Sequence, residues 1–593
     1  MRKELSALWA AMERAGVDAY VIPTDDFHGS EYVGDYFKCR EYVSGFTGSA
    51  GTLVVTRDWA GLWTDGRYFL QGAQQLEGSG IDLCKMGEPG VPTVQGWLEA
   101  HLTKGQVLGF DGRTMTAETG LALEKAMEKQ GVRIKHALDL AGEIWPERPS
   151  LPQETAWALD LQYTGRTRKE KLEALWQDVR KQGAKEYVLT SLDDLAWLLN
   201  IRGGDVACCP VVLGFLTMRE TETVLYTDEG KFAPALRQAL ETDGITFRPY
   251  LQVFEDVKKC SGPVLVDPGK VSYAIRKNIP ENVKVLEAAN PTELPKGIKT
   301  PAEYGNERTA HIKDGVALTR FMKWLKDHVG QEKITELSAA AKLEEFRTQQ
   351  EHYLGPSFDP IFGCGPHGAI VHYSATPESD MELEPHGFVL ADTGGHYLEG
   401  STDVTRTFVL GPLTQEMKHH YTLVLRGNLN LAAAKFKQGC SGISLDYLAR
   451  KPLWDEGLDY NHGTGHGVGY LLSVHEGPQG IRYHVSAGRS EGAKMEPGMI
   501  TSDEPGIYLE GKYGIRLENL MLCVEREKTE YGTFLGFETL TMCPFELEAI
   551  ETEGLNAEEK RLLNAYHETV FKTLSPYLDA EETAWLRAAT RAI

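Results

Sequence analysis

Four carboxylates that sit in or beside strand-like apolar runs constrain this chain more than any other feature. Asp392 follows the run FVLA, Asp403 opens DVTRTFVL, Glu504 follows MITSD, and Glu518 lies inside GIRLENLML. An ionised carboxylate in an apolar strand is costly unless it is paired or bound to a metal, and several brought together repel one another. Two divalent cations resolve that conflict, because their positive charge balances the negative charge of the four groups. Taken singly, each residue has a plainer reading. Asp392 and Asp403 flank the Gly-rich turn TGGHYLEGST, where Asp is favoured anyway, and His466 in NHGTGHGVGY also reads as a loop histidine. Their order and context make the case. Oxygen donors with one imidazole suit Mn2+, Co2+, Fe2+ or Zn2+ rather than a structural zinc site. Two such ions about 3.5–4 Å apart can share a bridging hydroxide.

Two Pro-rich stretches punctuate the 593 residues: PERPSLP, with Pro146, Pro149 and Pro152, and NPTELPKGIKTPAE, with Pro291, Pro295 and Pro301. Proline clusters interrupt regular structure, so the expected blocks are 1–150, 151–300 and 301–593, each of ordinary domain size. The first two share a rhythm of a charged helical pattern, an apolar run (DAYVIP; EYVLT), then further strand-like runs (GTLVVT and GLWT; VVLGFL and TVLYT). That alternation predicts α/β in both, without a residue-level repeat. In the third block, Ile312, Val316, Phe321 and Leu325 recur at helical spacing. Further helices are predicted over ITELSAAAKLEEFRTQQ and MKHHYTLVLRGNLNLAAAKFK, and strands over GFVLADTG, DVTRTFVL, GMITSDEPGIYL and GIRLENLMLCV. A curved sheet with helices outside fits this order, making the whole chain α/β (α+β). A helical extension is expected from about residue 546, with a charged helix pair from about 555.

The 85 acidic against 62 basic residues, a formal net charge of −23, argue against nucleic acid and anionic lipid as partners. The start, MRKELSALWAAMERAGVDAYVIP, interleaves Glu4, Glu13 and Arg14 with apolar residues, so a first helix is expected rather than a secretory signal. No stretch approaches an uncharged membrane span. Nine cysteines without CxxC spacing, Cys208 and Cys209 adjacent among them, predict reduced thiols and a cytoplasmic location.

The runs LADTGGHYLEGSTDVTRTF, HGTGHGVGYLLSVHEGP, EPGIY and GIRLEN resemble the metallopeptidases with the pita-bread fold. Among these the chain is most similar to the long, three-domain aminopeptidases P (Xaa-Pro aminopeptidases). The runs EYVSGFTGSAG, WTDGRYFLQGA and KTPAEYGNERTAHIKDGVAL carry that likeness, while the middle block matches more loosely. The resemblance implies two creatinase-like α/β domains followed by a pita-bread catalytic domain, and a homodimer. It makes Asp392, Asp403, His466, Glu504 and Glu518 the ligands of two metal ions, usually manganese. It assigns proton relay to Glu504, contact near the scissile region to His372, the substrate carbonyl to His475, the proline subsite to His462, and support of Glu518 to Arg516.

These roles suit the chemistry. Attack on the carbonyl before proline develops an oxyanion that a metal and a histidine can hold. Proline's tertiary nitrogen must gain a proton to leave, so a general acid is required; Glu504 can return the proton it takes from water. Proline defeats most peptidases because it lacks an N–H and fixes φ, so a dedicated pocket is expected, with Trp454 as an apolar wall. For Arg67 in TDGRYF an ion pair is expected over a reach into a partner's site. The glycines of GTGHGVG follow a polar loop, not a strand, which argues against dinucleotide binding. The expected activity is hydrolysis of Xaa-Pro-Xaa peptides after the first residue. The rivals are a prolidase-type Xaa-Pro dipeptidase, disfavoured by the extra N-terminal block, a creatinase-like hydrolase without the metal set, and a non-catalytic peptide- or histone-binding relative, disfavoured by the presence of every ligand.

Overall fold

The computed structural model describes residues 1–484 and 492–593. The chain forms two compact units: residues 1–160 with 166–293, and residues 161–165 with 294–593.

The first unit contains two six-stranded mixed sheets. In the first, the spatial order is Asp82–Lys85, Ala60–Thr64, Thr52–Thr56, Ala19–Pro23, Val107–Phe110, Arg133–Lys135. In the second it is Ile245–Arg248, Glu222–Tyr226, Phe215–Arg219, Glu186–Leu189, Val264–Val266, Val285–Glu287. Reading across either sheet, neighbours are parallel, antiparallel, antiparallel, parallel and parallel. The shared rhythm of the two blocks is therefore a shared topology. The N-terminal segment is a helix, Lys3–Ala15, that buries Leu5, Leu8, Ala11 and Met12 on one face. The run VVLGFL, expected as strand throughout, is strand only from Phe215. Its first half takes its hydrogen bonds from a loop instead: Val211 N–H donates to Cys209 O, and Leu213 N–H to the Asp205 carboxylate.

In the second unit, the 28-residue helix Pro301–His328 starts at a capping box. The Thr300 hydroxyl accepts from the Glu303 N–H, and the Glu303 carboxylate accepts from the Thr300 N–H, with Pro301 in the first turn. Its Leu318, Phe321, Met322 and Leu325 pack with the helix Glu336–Thr348 onto Phe362, Val389, Ala391, Val404 and Phe408 of the sheet. The helix Gln415–Ala432 covers a second cluster with Phe388, Val409, Ile507 and Ile515. It ends earlier than the sequence suggested, since Lys435–Lys437 leaves it to pair with Gly532–Thr539 at a sheet edge.

Two runs expected as single strands are broken. GMITSDEPGIYL divides into Ile500–Asp503 and Gly506–Leu509, and GIRLENLMLCV into Tyr513–Arg516 and Asn519–Thr529. Asp503 pairs with Asn519, and Gly506 with Arg516, so the two breaks face each other. Glu504 and Glu518 occupy the breaks.

Candidate metal centre

Strand geometry brings the carboxylates together. Asp392 pairs with Thr405 across the hairpin of Phe388–Thr393 and Val404–Val409. Asp403 lies two residues before Thr405, so the side-chain period of two puts it on the same face as Asp392, as a diagonal neighbour. The Thr405 hydroxyl points the same way and donates to Glu518 Oε2 at 2.8 Å, while the Glu518 N–H donates to Thr405 O. His466 enters from the two-residue strand Gly465–His466, which pairs with Gly480–Ile481, and Gly467 just after it bridges Thr501 of Ile500–Asp503. Its N–H donates to Ser502 Oγ, and that hydroxyl donates to Glu504 Oε1 at 3.2 Å. The glycines of HGTGHGVG serve this close packing: a Cβ at Gly465 would overlap the Ser502 carbonyl, and one at Gly467 the Glu476 carbonyl. They belong to no strand–turn–helix unit.

Donor atoms of Asp403, His466 and Glu518 all lie within 4.8 Å of one another. His466 Nε2 is 3.5 Å from Asp403 Oδ2 and 3.6 Å from Glu504 Oε1, while its Nδ1 is 3.0 Å from Gly467 O. That contact fixes the ring so that Nε2 faces the acids. Asp392 Oδ2 accepts from Arg516 at 2.6 Å, and Asp392 Oδ1 and Glu518 Oε1 are buried with no hydrogen-bond partner. Buried carboxylate oxygens without partners are expensive, and these belong to the acids the sequence singled out. Burial, then the neighbouring carboxylates, hold Asp403 and Glu518 well above the usual carboxylate range. Burial pushes Glu504 up to about 7, against the opposing pull of Arg516. Open lone pairs, an oriented imidazole and crowded negative charge fit a pair of divalent cations.

Arg516 ties the site's wall to its floor. Besides Asp392, its guanidinium donates to Tyr508 Oη (2.7 Å), Thr405 Oγ1 (3.1 Å) and Val371 O (3.3 Å), next to His372. Tyr508 Oη also meets His462 Nε2 at 2.8 Å, while His462 Nδ1 contacts Gly463 O. Burial, then the Arg516 charge, push His462 well below its ordinary value, so it is a neutral imidazole at neutral pH. His475 packs edge-on to His466, with ring centroids 4.4 Å apart at 80°. His372, His462, His466, His475 and Glu504 are all partly exposed, and Asp392, Asp403, Arg516 and Glu518 are buried.

The sequence reading missed Tyr508, although EPGIY contained it. The register explains its role: Gly506 pairs with Arg516, so Tyr508 is the diagonal neighbour of Arg516 on the same face. Trp454 is the last residue of the helix Ile443–Trp454. It is 38% exposed and packs against Tyr447 and Tyr483, and Arg450, which lies over Tyr483, donates to His462 O. Arg67 forms ion pairs with Asp65 (2.8 Å) and Glu31 (3.5 Å).

Residues 306–525 match the model of metallopeptidase family M24, and residues 533–593 match the C-terminal region of peptidase M24. Residues 5–142 and 147–303 each match a creatinase/prolidase N-terminal domain. A probable Xaa-Pro aminopeptidase P from Sordaria macrospora is 38% identical over 99% of this chain and 98% of its own. The crystal structure of an X-prolyl aminopeptidase from Caenorhabditis elegans, described as a cytosolic enzyme with a di-nuclear active site, superposes with a TM-score of 0.95. It is 34% identical, over 100% of this chain and 99% of that one. An Xaa-Pro dipeptidase from Bacillus anthracis covers 64% of this chain and 99% of its own, at 24% identity and a TM-score of 0.51, a likeness of fold.

Proposed function

Because the chain belongs to metallopeptidase family M24, with creatinase-type α/β domains ahead of a pita-bread domain, we infer that it is a metal-dependent Xaa-Pro aminopeptidase. It hydrolyses the bond between an N-terminal residue and a penultimate proline. The observation that carries the reading is the convergence of buried carboxylates, two of them with unpartnered oxygens, on one oriented imidazole.

In this reading Asp392, Asp403, His466, Glu504 and Glu518 hold two divalent ions, and manganese is the proposed metal. When bound, the pair supplies a water activated at neutral pH and charge stabilisation at the carbonyl oxygen. The protein's part is proton handling and orientation. Glu504, oriented by Ser502, takes the proton of the attacking water and delivers it to the proline nitrogen as the C–N bond breaks. His475, stacked edge-on to the ligand His466, donates to the carbonyl oxygen as negative charge grows there. His372 sits where Arg516 tethers Val371 and lines the scissile region. His462, kept neutral and joined to Tyr508, forms one side of the proline subsite without adding charge to an apolar ring's pocket. Arg516 holds the Asp392 carboxylate in its orientation by donating to Oδ2.

We propose a division of the chain at 1–150, 151–300 and 301–593, with the helical extension from about 546; the spans of the family matches support it. A cytoplasmic homodimer that binds peptides and neither nucleic acid nor membrane is proposed on the family likeness and the net charge of −23. No helix among the described residues is long and apolar enough to cross a membrane.

The test is cleavage of an Xaa-Pro-Xaa tripeptide beside an Xaa-Pro dipeptide, with Glu504→Gln as control, chelation as the off switch and Mn2+ as the rescue. Turnover of the dipeptide alone would assign prolidase activity instead.

A further inference from the structure

The segment PKGIKT, which the sequence marks only as punctuation between blocks, carries two lysines that bury themselves on one carboxylate. Lys296 Nζ lies 2.9 Å from Glu476 Oε2, and Lys299 Nζ contacts Glu476 Oε1. All three side chains are out of solvent, at 7%, 1% and 2% exposure. Lysine is rarely buried this deeply, and burying charge costs free energy that a surface pair never faces. Buried Glu307 also interacts with Lys299 and Glu476, so the lysines join a packed charged cluster at this point.

Glu476 is the residue after His475, and its location gives the triad a task. Its N–H donates to Gly467 O at 2.8 Å, the carbonyl next to the ligand His466. Gly467 N–H in turn donates to Gln479 O, and Gly469 N–H to Ser473 O. The loop from His466 to Gln479 is thereby folded back on itself, bringing the His475 ring to the His466 ring. The His466 end of the loop is tied to the strand Ile500–Asp503 by Val468 N–H to Ile500 O, and the far end by the Gln479 side chain to the same carbonyl. The lysine segment adds a tie at Glu476, next to His475. Lys299 N–H donates to Gly498 O, and Ile298 bridges Met499, one residue before the strand Ile500–Asp503 that lies beside His466. A Cβ at Gly297 would meet the Pro478 ring. The segment is thus fixed to the His466 side of the site and grips the His475 side through a bidentate charge clamp.

We propose that Lys296 and Lys299 are positioning residues for the proposed carbonyl-binding His475, acting through the buried Glu476 carboxylate. This rests on the role assigned to His475 above. Single lysine substitutions are the informative ones, because Lys296→Met or Lys299→Met leaves one lysine on Glu476, whereas removing Glu476 takes away the group that both lysines grip.

The experiment is a double-mutant cycle on the metal-loaded enzyme with an Xaa-Pro-Xaa substrate, together with crystal structures of Lys296→Met and Lys299→Met. Each lysine variant is expected to lower kcat by about ten- to a hundredfold, as sub-ångström to ångström misplacement of a catalytic group does. In a His475→Ala background the same substitution should change kcat by less than about twofold, because the group being positioned is already gone. Metal content should be unchanged, Lys299→Arg should recover activity, and the variant structures should show the His475 ring displaced from His466. An equal loss of kcat in both backgrounds, or an unmoved His475 ring, overturns the proposal. A wild-type enzyme inactive on the tripeptide refutes the aminopeptidase reading itself, and the crystal structures still decide whether the lysines hold the ring.

Discussion

Residues at this site act through charge that has nowhere else to go. Arg516 is the clearest case: it meets Asp392, Tyr508, Thr405 and Val371 from one buried guanidinium. Arg516→Met should weaken metal retention and lower kcat/KM by about 10–100-fold each, measured by chelator competition and steady-state kinetics. An unchanged metal affinity would contradict its link to Asp392. The carboxylates also set a pH dependence. In the metal-free protein Glu504 is raised to about 7, and Asp403 and Glu518 are raised in the same direction. The folded state then holds protons that the unfolded chain releases above the ordinary carboxylate range. That contribution to stability is complete at acid pH and is lost as pH rises through about 7. Metal ions take the place of those protons. The difference in Tm between metal-loaded and chelator-stripped protein should therefore widen from pH 5 to pH 7.5, by calorimetry; a constant gap would sink this account. Asp392 and Asp403 were legible in the sequence because charge stands out against an apolar run. Tyr508 was not, because a tyrosine in a strand looks like packing until register sets it beside Arg516.

At the scale of elements, the site depends on strands that stop in the right places. Glu504 and Glu518 face each other because two apparently continuous runs break opposite one another. Pro505, which has no N–H, marks one break in the sequence, and Leu517–Glu518 carries no such mark. Behind these strands, Phe321 is fully buried between Phe362 and Phe408, at ring distances of 5.8 Å to each. Phe321→Ala should cost about 3–5 kcal/mol, read as a lower denaturant midpoint for the second unit. The cap at the start of the same helix is worth less: Thr300→Ala should cost about 1 kcal/mol, and Thr300→Ser should recover most of it. The long helix was readable from its 3.6-residue period. The end of Gln415–Ala432 was not, since edge pairing with a strand about a hundred residues later decides it.

At the scale of the whole molecule, the C-terminal helices belong to the catalytic unit. The fully buried Arg406 donates to Glu518 O, Asn519 Oδ1, the carbonyls of Cys543 and Pro544, and Tyr566 Oη on the helix Ala557–Leu574. Truncation after residue 545 removes one of those acceptors and, by deleting Val570, Leu574 and Leu586, uncovers Val316 and the Ile312 and Met542 side chains packed with it. The full chain is expected to show a cooperative, metal-dependent thermal transition, and the truncated protein should lose it. A truncated chain that keeps both would show the extension to be dispensable. By itself the sequence determined the chemistry available, because acids inside apolar runs demand compensating charge wherever they end up. It determined the alternation of elements too, through the periods of its apolar residues. Tertiary structure alone decided which contacts brace the candidate site: Tyr508 beside Arg516, Arg406 under Glu518, and Lys296 and Lys299 on Glu476. Those contacts join residues far apart in the chain through register and burial, and neither leaves a periodic or compositional trace in a single sequence.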